Sequence, residues 1–309
     1  MWIFFHVLIV FLLALDLGVF NKKAHEISTK EALGWSAFWI FLGLGFSGVI
    51  YLESGPSKAA EYLNGYLIEK ALSVDNLFVF LVIFESLKIK RIHQHRLLFW
   101  GVFGAIILRA IMITLGVQLL TKFMWLTYIF GAFLIYTGIK LFKGGGEELD
   151  PKKSPIFKWA TKFLPISSAE PNGRFTVVEN GKRMFTTAFL ALLLIESSDV
   201  IFAVDSVPAV FGVMSKPYDF YIIYTSNIFA ILGLRSLFFV LESLLEKFYL
   251  LKIGLAAILV FVGTKMVLHD YFTMKPFYNL AVIGTILMAS VILSLKFPKD
   301  KNIKPETRI

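Results

Sequence analysis

The sequence predicts an all-α, polytopic transmembrane helical bundle of about nine spans, with two inverted three-helix repeats. Three observations carry this: a composition poor in charge, apolar runs of membrane-crossing length, and matched motifs in the two halves. Of 309 residues, 57% are hydrophobic and 17% charged, whereas a soluble domain carries about a quarter charged residues. The apolar residues arrive in runs of about 20, the length that crosses a hydrocarbon core as helix. The net charge of +9 does not indicate nucleic acid, because the basic residues sit between the apolar runs. With no cysteine, the chain has no disulfide, thiolate metal site or redox motif. The histidines (His6, His25, His93, His95, His269) form no intramembrane cluster.

The elements follow in order. The first run, 1–20, lacks a basic n-region and a small-residue cleavage site, and Asp16 interrupts it. It therefore reads as a retained span and not as a signal peptide. Further helices are expected at 33–52, 63–86, 97–118, 123–142, 184–213, 220–242, 249–268 and 275–296. The corresponding organisation is two N-terminal spans (1–62), a first repeat (63–142), a cytoplasmic loop (143–183), a second repeat (184–268), and a last span with a basic tail (269–309). The loop opens on Gly144-Gly145-Gly146-Glu147-Glu148 and holds Pro151, Pro155, Pro165 and Pro171. Within it, Ile156 to Phe163 reads either as a short amphipathic helix at the interface or as solvated loop. With the N-terminus outside, 22 Lys and Arg residues fall on the cytoplasmic side and four outside. That asymmetry predicts N-outside, C-inside.

The halves correspond in register. Glu69-Lys-Ala-Leu-Ser-Val-Asp75-Asn76 in the third span matches Asp199-Val-Ile-Phe-Ala-Val-Asp205-Ser206 in the sixth. One span later Arg109 matches Arg235, and one further on Gly138-Ile-Lys140 matches Gly263-Thr-Lys265. The anchors are 34 and 31 residues apart in the first copy, and 30 and 30 in the second. Each copy holds three spans, so the second begins on the opposite side of the membrane. Secondary transporters share this inverted arrangement and place their substrate sites near the midplane, where the repeats meet.

Six acids, Asp16, Glu69, Asp75, Glu196, Asp199 and Asp205, lie inside predicted spans. A carboxylate at the bilayer centre costs roughly 2.5–3.5 kcal/mol, so six unneutralised ones cost on the order of 15 kcal/mol or more. Lys140 and Lys265 sit near span ends and can snorkel, and Lys70 points to a different face from its neighbour Glu69. Arg109 and Arg235 remain as the deep partners. Acids then outnumber deep bases, which favours a cation-binding or proton-relay role over structural pairing alone. Asp16, outside the repeat and near a helix end, is the weakest member.

At 100° per residue, Glu69 and Asn76 share a helix face while Asp75 does not, and Asp205 lies roughly opposite Glu196. Pro208 cannot donate to Val204, and an opened helix around it would re-aim these groups and free carbonyls as ligands. The donors are carboxylate, amide, hydroxyl and carbonyl oxygens, a set suited to hard divalent cations such as Mg, Ca or Mn.

The two segments Glu69-Lys-Ala-Leu-Ser-Val-Asp75-Asn76-Leu-Phe-Val-Phe and Glu196-Ser-Ser-Asp199-Val-Ile-Phe-Ala-Val-Asp205-Ser206-Val-Pro208-Ala resemble the signature segments of the TerC family. The resemblance covers about residues 1–296, Asp16-Leu-Gly-Val-Phe included. Members are named for tellurium resistance, and several are implicated in manganese export. The resemblance implies metal-linked roles for Glu69, Asp75, Glu196, Asp199 and Asp205, with Asn76 and Ser206 following by adjacency.

The expected function is export of a divalent cation, Mn2+ by resemblance, from a bacterial cytoplasm across the inner membrane, in exchange for protons. No permanent cofactor, enzymatic motif or nucleic-acid partner is expected; the lipid bilayer is the partner the composition demands. A membrane-embedded stress or assembly factor, acting through the 143–183 loop with structural acids, is the alternative.

Overall fold

The computed structural model describes residues 2–18, 28–143, 151–167, 174–179, 181–244, 250–268, 271 and 274–297, without the side chains of 15–18, 74, 75, 78, 205, 241, 243 and 244. Among the described residues the chain is a bundle of ten α-helices and one small hairpin. The helices are α1 (Trp2–Gly18), α2 (Thr29–Ser86), α3 (Arg91–Lys122), α4 (Leu126–Phe142), α5 (Pro155–Phe163), α6 (Thr187–Val213), α7 (Phe220–Ile231), α8 (Leu234–Leu244), α9 (Leu251–Val267) and α10 (Pro276–Lys296). Five stretches are long and apolar enough to cross a membrane: Thr29–Ser73, Arg91–Lys122, Thr187–Val213, Phe220–Val240 and Pro276–Lys296. Helices α1, α4 and α9 have 17 residues each, about 26 Å of rise, the short end of the spanning range.

Two expected spans, 33–52 and 63–86, lie in the single element α2. It turns at Gly55, whose φ of 83° and ψ of 177° are non-helical, with Pro56 next. Glycine alone adopts this backbone without a Cβ clash. The two legs then fold back on each other. Tyr62 donates its hydroxyl to the Gly43 carbonyl at 2.9 Å, and the rings of Phe46 and Tyr62 lie 5.6 Å apart. The second leg is the centre of the bundle: between Ala59 and Ser73 almost every residue is buried, packed by α6, α7, α8 and α10.

Register between packed helices fixes their relative direction. Gly65 faces Ser226 and Glu69 bonds Asn227, so the second leg of α2 runs parallel to α7. Gly104 faces Glu196 and Gly116 faces Phe211, so α3 and α6 are parallel. Gly131 faces Gly263 and Gly138 faces Ala256, so α4 and α9 are antiparallel. These contacts bring backbones together at small residues, as membrane helices without a hydrophobic drive between them require. The outward faces of α1, α3, α4 and α10 expose large apolar residues, among them Ile3, Phe11, Ile107, Ile129 and Met288.

The described residues of the 143–183 segment include a helix and a hairpin. Ser154 caps α5 by accepting from Phe157 N at 3.1 Å; Trp159 and Phe163 are exposed on this helix, beside Lys158 and Lys162. Of the two readings of 156–163, the residues are helical and not loop. The hairpin of β1 (Thr176–Glu179) and β2 (Lys182–Phe185) was not foreseen; its antiparallel register pairs Val177 with Met184.

Pro208 does not open the sixth span. Helix α6 is helical from Thr187 to Val213 with Pro208 inside it. Proline removes one hydrogen bond there, and buried Val207, Ala209, Val210 and Phe211 hold the surrounding turns in place. The break falls one span later. The expected 220–242 helix is two helices, parted at Gly233, whose φ is +83°. The Trp39 side chain fills the space a Cβ would need at Gly233.

Candidate functional site

The matched motifs meet at an ion pair in the middle of the bundle. Arg109 Nη1 lies 2.7 Å from Glu69 Oε1, with the two side chains 4% and 0% exposed. The same nitrogen donates to Ser206 Oγ at 2.6 Å. No described donor meets Oε1 at hydrogen-bonding angles, so the contact is chiefly Coulombic, whereas Oε2 accepts from Asn227 Nδ2 at 3.1 Å. Four helices thus contribute to one node: α2 through Glu69, α3 through Arg109, α6 through Ser206, α7 through Asn227. Asp199, one face-repeat before Ser206 on α6, is buried and lies within electrostatic reach of both Arg109 and Glu69. Removing the guanidinium alone would leave buried carboxylate uncompensated, at roughly 3–5 kcal/mol.

Glu196 stands one turn from Asp199 and within its electrostatic reach. Its carboxyl packs directly against the Cα of Gly104, in space any larger residue would occupy. Asn76 is buried one face-repeat along α2 from Glu69, and Arg235 is buried just beyond the break at Gly233. The side chains of Asp16, Asp75 and Asp205 lie outside the described residues. Among the described residues, no three His, Asp or Glu side chains gather closely enough to hold a metal ion. The described acids are instead strung along the bundle, with Arg109 paired to Glu69 and within electrostatic reach of Asp199.

Two groups were missed by sequence reasoning. Asn227 was not singled out, although Thr225-Ser226-Asn227 is a polar triplet within an apolar run and all three are fully buried. Lys70 does point away from Glu69, but it has its own task. Its Nζ donates to the carbonyls of Ala230 at 3.1 Å and Leu232 at 3.4 Å. A cation at the C-terminal end of a helix satisfies orphan carbonyls and complements the helix dipole. The consecutive residues Glu69 and Lys70 therefore grip α7 at two places. Lys265, expected to snorkel, is partly buried and lies within electrostatic reach of Glu61.

A multi-pass helical bundle with a buried acid–base node shared by four of its helices defines the class: an integral membrane protein with ionisable groups in its interior. The chain matches the integral membrane protein TerC family over residues 54–302, and it belongs to that family. It is 50% identical to an uncharacterised membrane protein of Myxococcus xanthus over 96% of this chain and 92% of the relative. It is 40% identical over 99% of this chain to Alx of Salmonella typhi, which is covered over 98% of its length, and 41% identical to Alx of Escherichia coli K12, with 95% and 94% covered. Alx carries the description of a proposed membrane-bound redox modulator. No solved structure matches the chain.

Proposed function

We propose that this protein is a transporter that exports a divalent metal cation, manganese, across the bacterial inner membrane in exchange for protons, with its N-terminus outside. The observation that carries the reading is the Arg109 bridge between Glu69 and Ser206, which ties the two matched acidic motifs at one buried point. Buried ionisable groups inside a membrane protein mark ion pathways or proton relays by default. The two motifs belong to oppositely oriented repeats on this reading, and their meeting point is the substrate site. The contact register between α4 and α9 supports it: the Gly131–Gly263 contact becomes the Ala256–Gly138 contact when the matched positions of the two copies are exchanged.

Glu69, Asp75, Glu196, Asp199 and Asp205, with Asn76 and Ser206, supply oxygen donors for a hard cation, and Arg109 and Arg235 neutralise the acids when the cation is absent. Arg109 already stands between Glu69 and Ser206, so a shift toward Ser206 frees the Glu69 carboxylate for cargo. The redox role proposed for Alx fits the same activity. With no cysteine the chain has no thiol couple, so an effect on redox state would run through the cations it moves.

The decisive measurement is whole-cell metal content by mass spectrometry across several divalent metals. Expression should lower cellular manganese, and Asp75→Asn, Asp205→Asn, Glu69→Gln or Asp199→Asn should abolish the effect with the protein still in the membrane. Unchanged manganese in cells expressing the wild-type chain would sink the proposal. The alternative, docking through the 143–183 excursion, predicts loss of function on deleting that segment and tolerance of acid neutralisation paired with Arg109 or Arg235.

A further inference from the structure

A second polar cluster lies at the end of the bundle where α2 turns, and the node at Glu69 does not account for it. Glu61 is an acid only 2% exposed, two helical turns before Glu69 on the central leg of α2, about 12 Å away along the axis. Gly65 stands between them, against Ser226 of α7. Asn64 donates its amide nitrogen to the Pro276 carbonyl at 2.8 Å, and Asn279 donates its own to the Val213 carbonyl at 3.4 Å. Both asparagines are completely buried. The donors fix which end of each amide is which, and they leave Asn64 Oδ1 and Asn279 Oδ1 without a partner among the described residues.

Buried polar atoms in native proteins find partners or water. The two orphan atoms here are amide oxygens at one end of a membrane bundle, beside a buried carboxylate. They call for a hydrated cation or the water around it.

The charged groups facing the cluster are compatible with that occupant. Lys58, at the mouth and 29% exposed, holds its ammonium 2.9 Å from Glu61 Oε2. Asp219, the cap of α7 through Tyr221 N and Ile222 N, waits 3.8 Å from the same ammonium. Lys265 of α9 is within electrostatic reach of Glu61. Lys58 is thus a tethered cation with two acceptors, and handing it from Glu61 to Asp219 exposes the buried carboxylate.

We infer that Glu61, Asn64 and Asn279 form an outer vestibule that admits a hydrated divalent cation between the external surface and Glu69, with Lys58 as its displaceable stopper. The cargo assignment rests on the export reading; the vestibule itself rests on the orphan oxygens and the Lys58 pair.

The test uses the absence of cysteine. Single substitutions Asn64→Cys and Asn279→Cys are placed in the full-length protein and treated in intact cells with a cationic, membrane-impermeant methanethiosulfonate. Tyr271→Cys, on an exposed residue, gives the full rate, and Ile195→Cys, in a fully buried position, gives the baseline. At least one vestibule cysteine should label well above baseline, manganese should slow that labelling several-fold, and adding Glu61→Gln should remove the protection while labelling persists. The inference is overturned if both vestibule cysteines stay at baseline while Tyr271→Cys reacts. Labelling only in inverted vesicles, or labelling that manganese does not slow, overturns it equally. Failure of the export reading registers elsewhere, as unchanged whole-cell manganese on expression, and leaves the accessibility of the two cysteines as measured.

Discussion

Arg109 holds Glu69 and Ser206 at once, at 2.7 and 2.6 Å from a single guanidinium nitrogen. Glu69 is completely buried, so its charge depends on that nitrogen and on Asn227. Arg109→Gln should therefore lower the melting temperature in detergent sharply, since breaking a buried pair costs roughly 3–5 kcal/mol. Adding Glu69→Gln to it should restore part of the loss, because the stranded charge is then gone. A double-mutant cycle on the two positions checks this. Additive effects would show that the two groups do not support each other.

Asn227 supports the same carboxylate with one charge-assisted bond at 3.1 Å. Asn227→Leu should cost about 1.5–3 kcal/mol in unfolding free energy, and Asn227→Asp should cost more, because it sets a second acid against Glu69. Export should weaken in both variants. Equal stability of the Leu and Asp variants would remove Asn227 from the electrostatics of the node.

The break between α7 and α8 combines Gly233 at φ +83°, Trp39 in the vacant Cβ space, and Lys70 on the freed carbonyls. Gly233→Ala meets both the backbone strain and the indole, and should destabilise by at least about 1 kcal/mol. Lys70→Met should destabilise through orphaned carbonyls, and Lys70→Arg should recover part of the loss. Thermal melts of the three variants decide it. Indistinguishable Met and Arg variants would show that the charge at this position has no part in holding the break.

The membrane class and the acids at the node were legible because both follow from desolvation. Lipid admits backbone mainly as long helices, and a carboxylate inside an apolar run is conspicuous in any reading. The position of the break was not legible. Pro208 carries the stronger local signal, yet α6 absorbs it within a packed helix. Gly233 breaks its helix only with help from Trp39 and Lys70, which are far away in sequence and meet it through the α2 fold-back. Asn227 shows the same limit. A polar residue in an apolar run is visible, but its partner is set by the parallel register of α2 and α7. The hairpin at 176–185 escaped because two four-residue strands give too short an alternation to stand out beside basic loop residues.

The α4–α9 contact gives a test of packing that does not touch the node. An added Cβ at Gly263 would come within 2.6 Å of the Gly131 carbonyl oxygen, and one at Gly131 within 2.8 Å of the Gly263 carbonyl oxygen. Both obstacles are backbone atoms, so relief requires the two helices to separate. Overpacking of this kind costs about 1–3 kcal/mol, and each alanine variant should lose stability on that scale. Gly138→Ala, whose Cβ would come within 2.8 Å of the Ala256 carbonyl oxygen, should lose a similar amount if the seam is as close at both of its contacts. Gly45→Ala, in open space on the first leg of α2, should be neutral or stabilising, because glycine inside a helix costs about 0.5–1 kcal/mol relative to alanine. The four melting temperatures, measured in one detergent, separate the two classes. A Gly131→Ala variant as stable as Gly45→Ala would mean that α4 and α9 do not approach to backbone contact in the membrane-extracted protein.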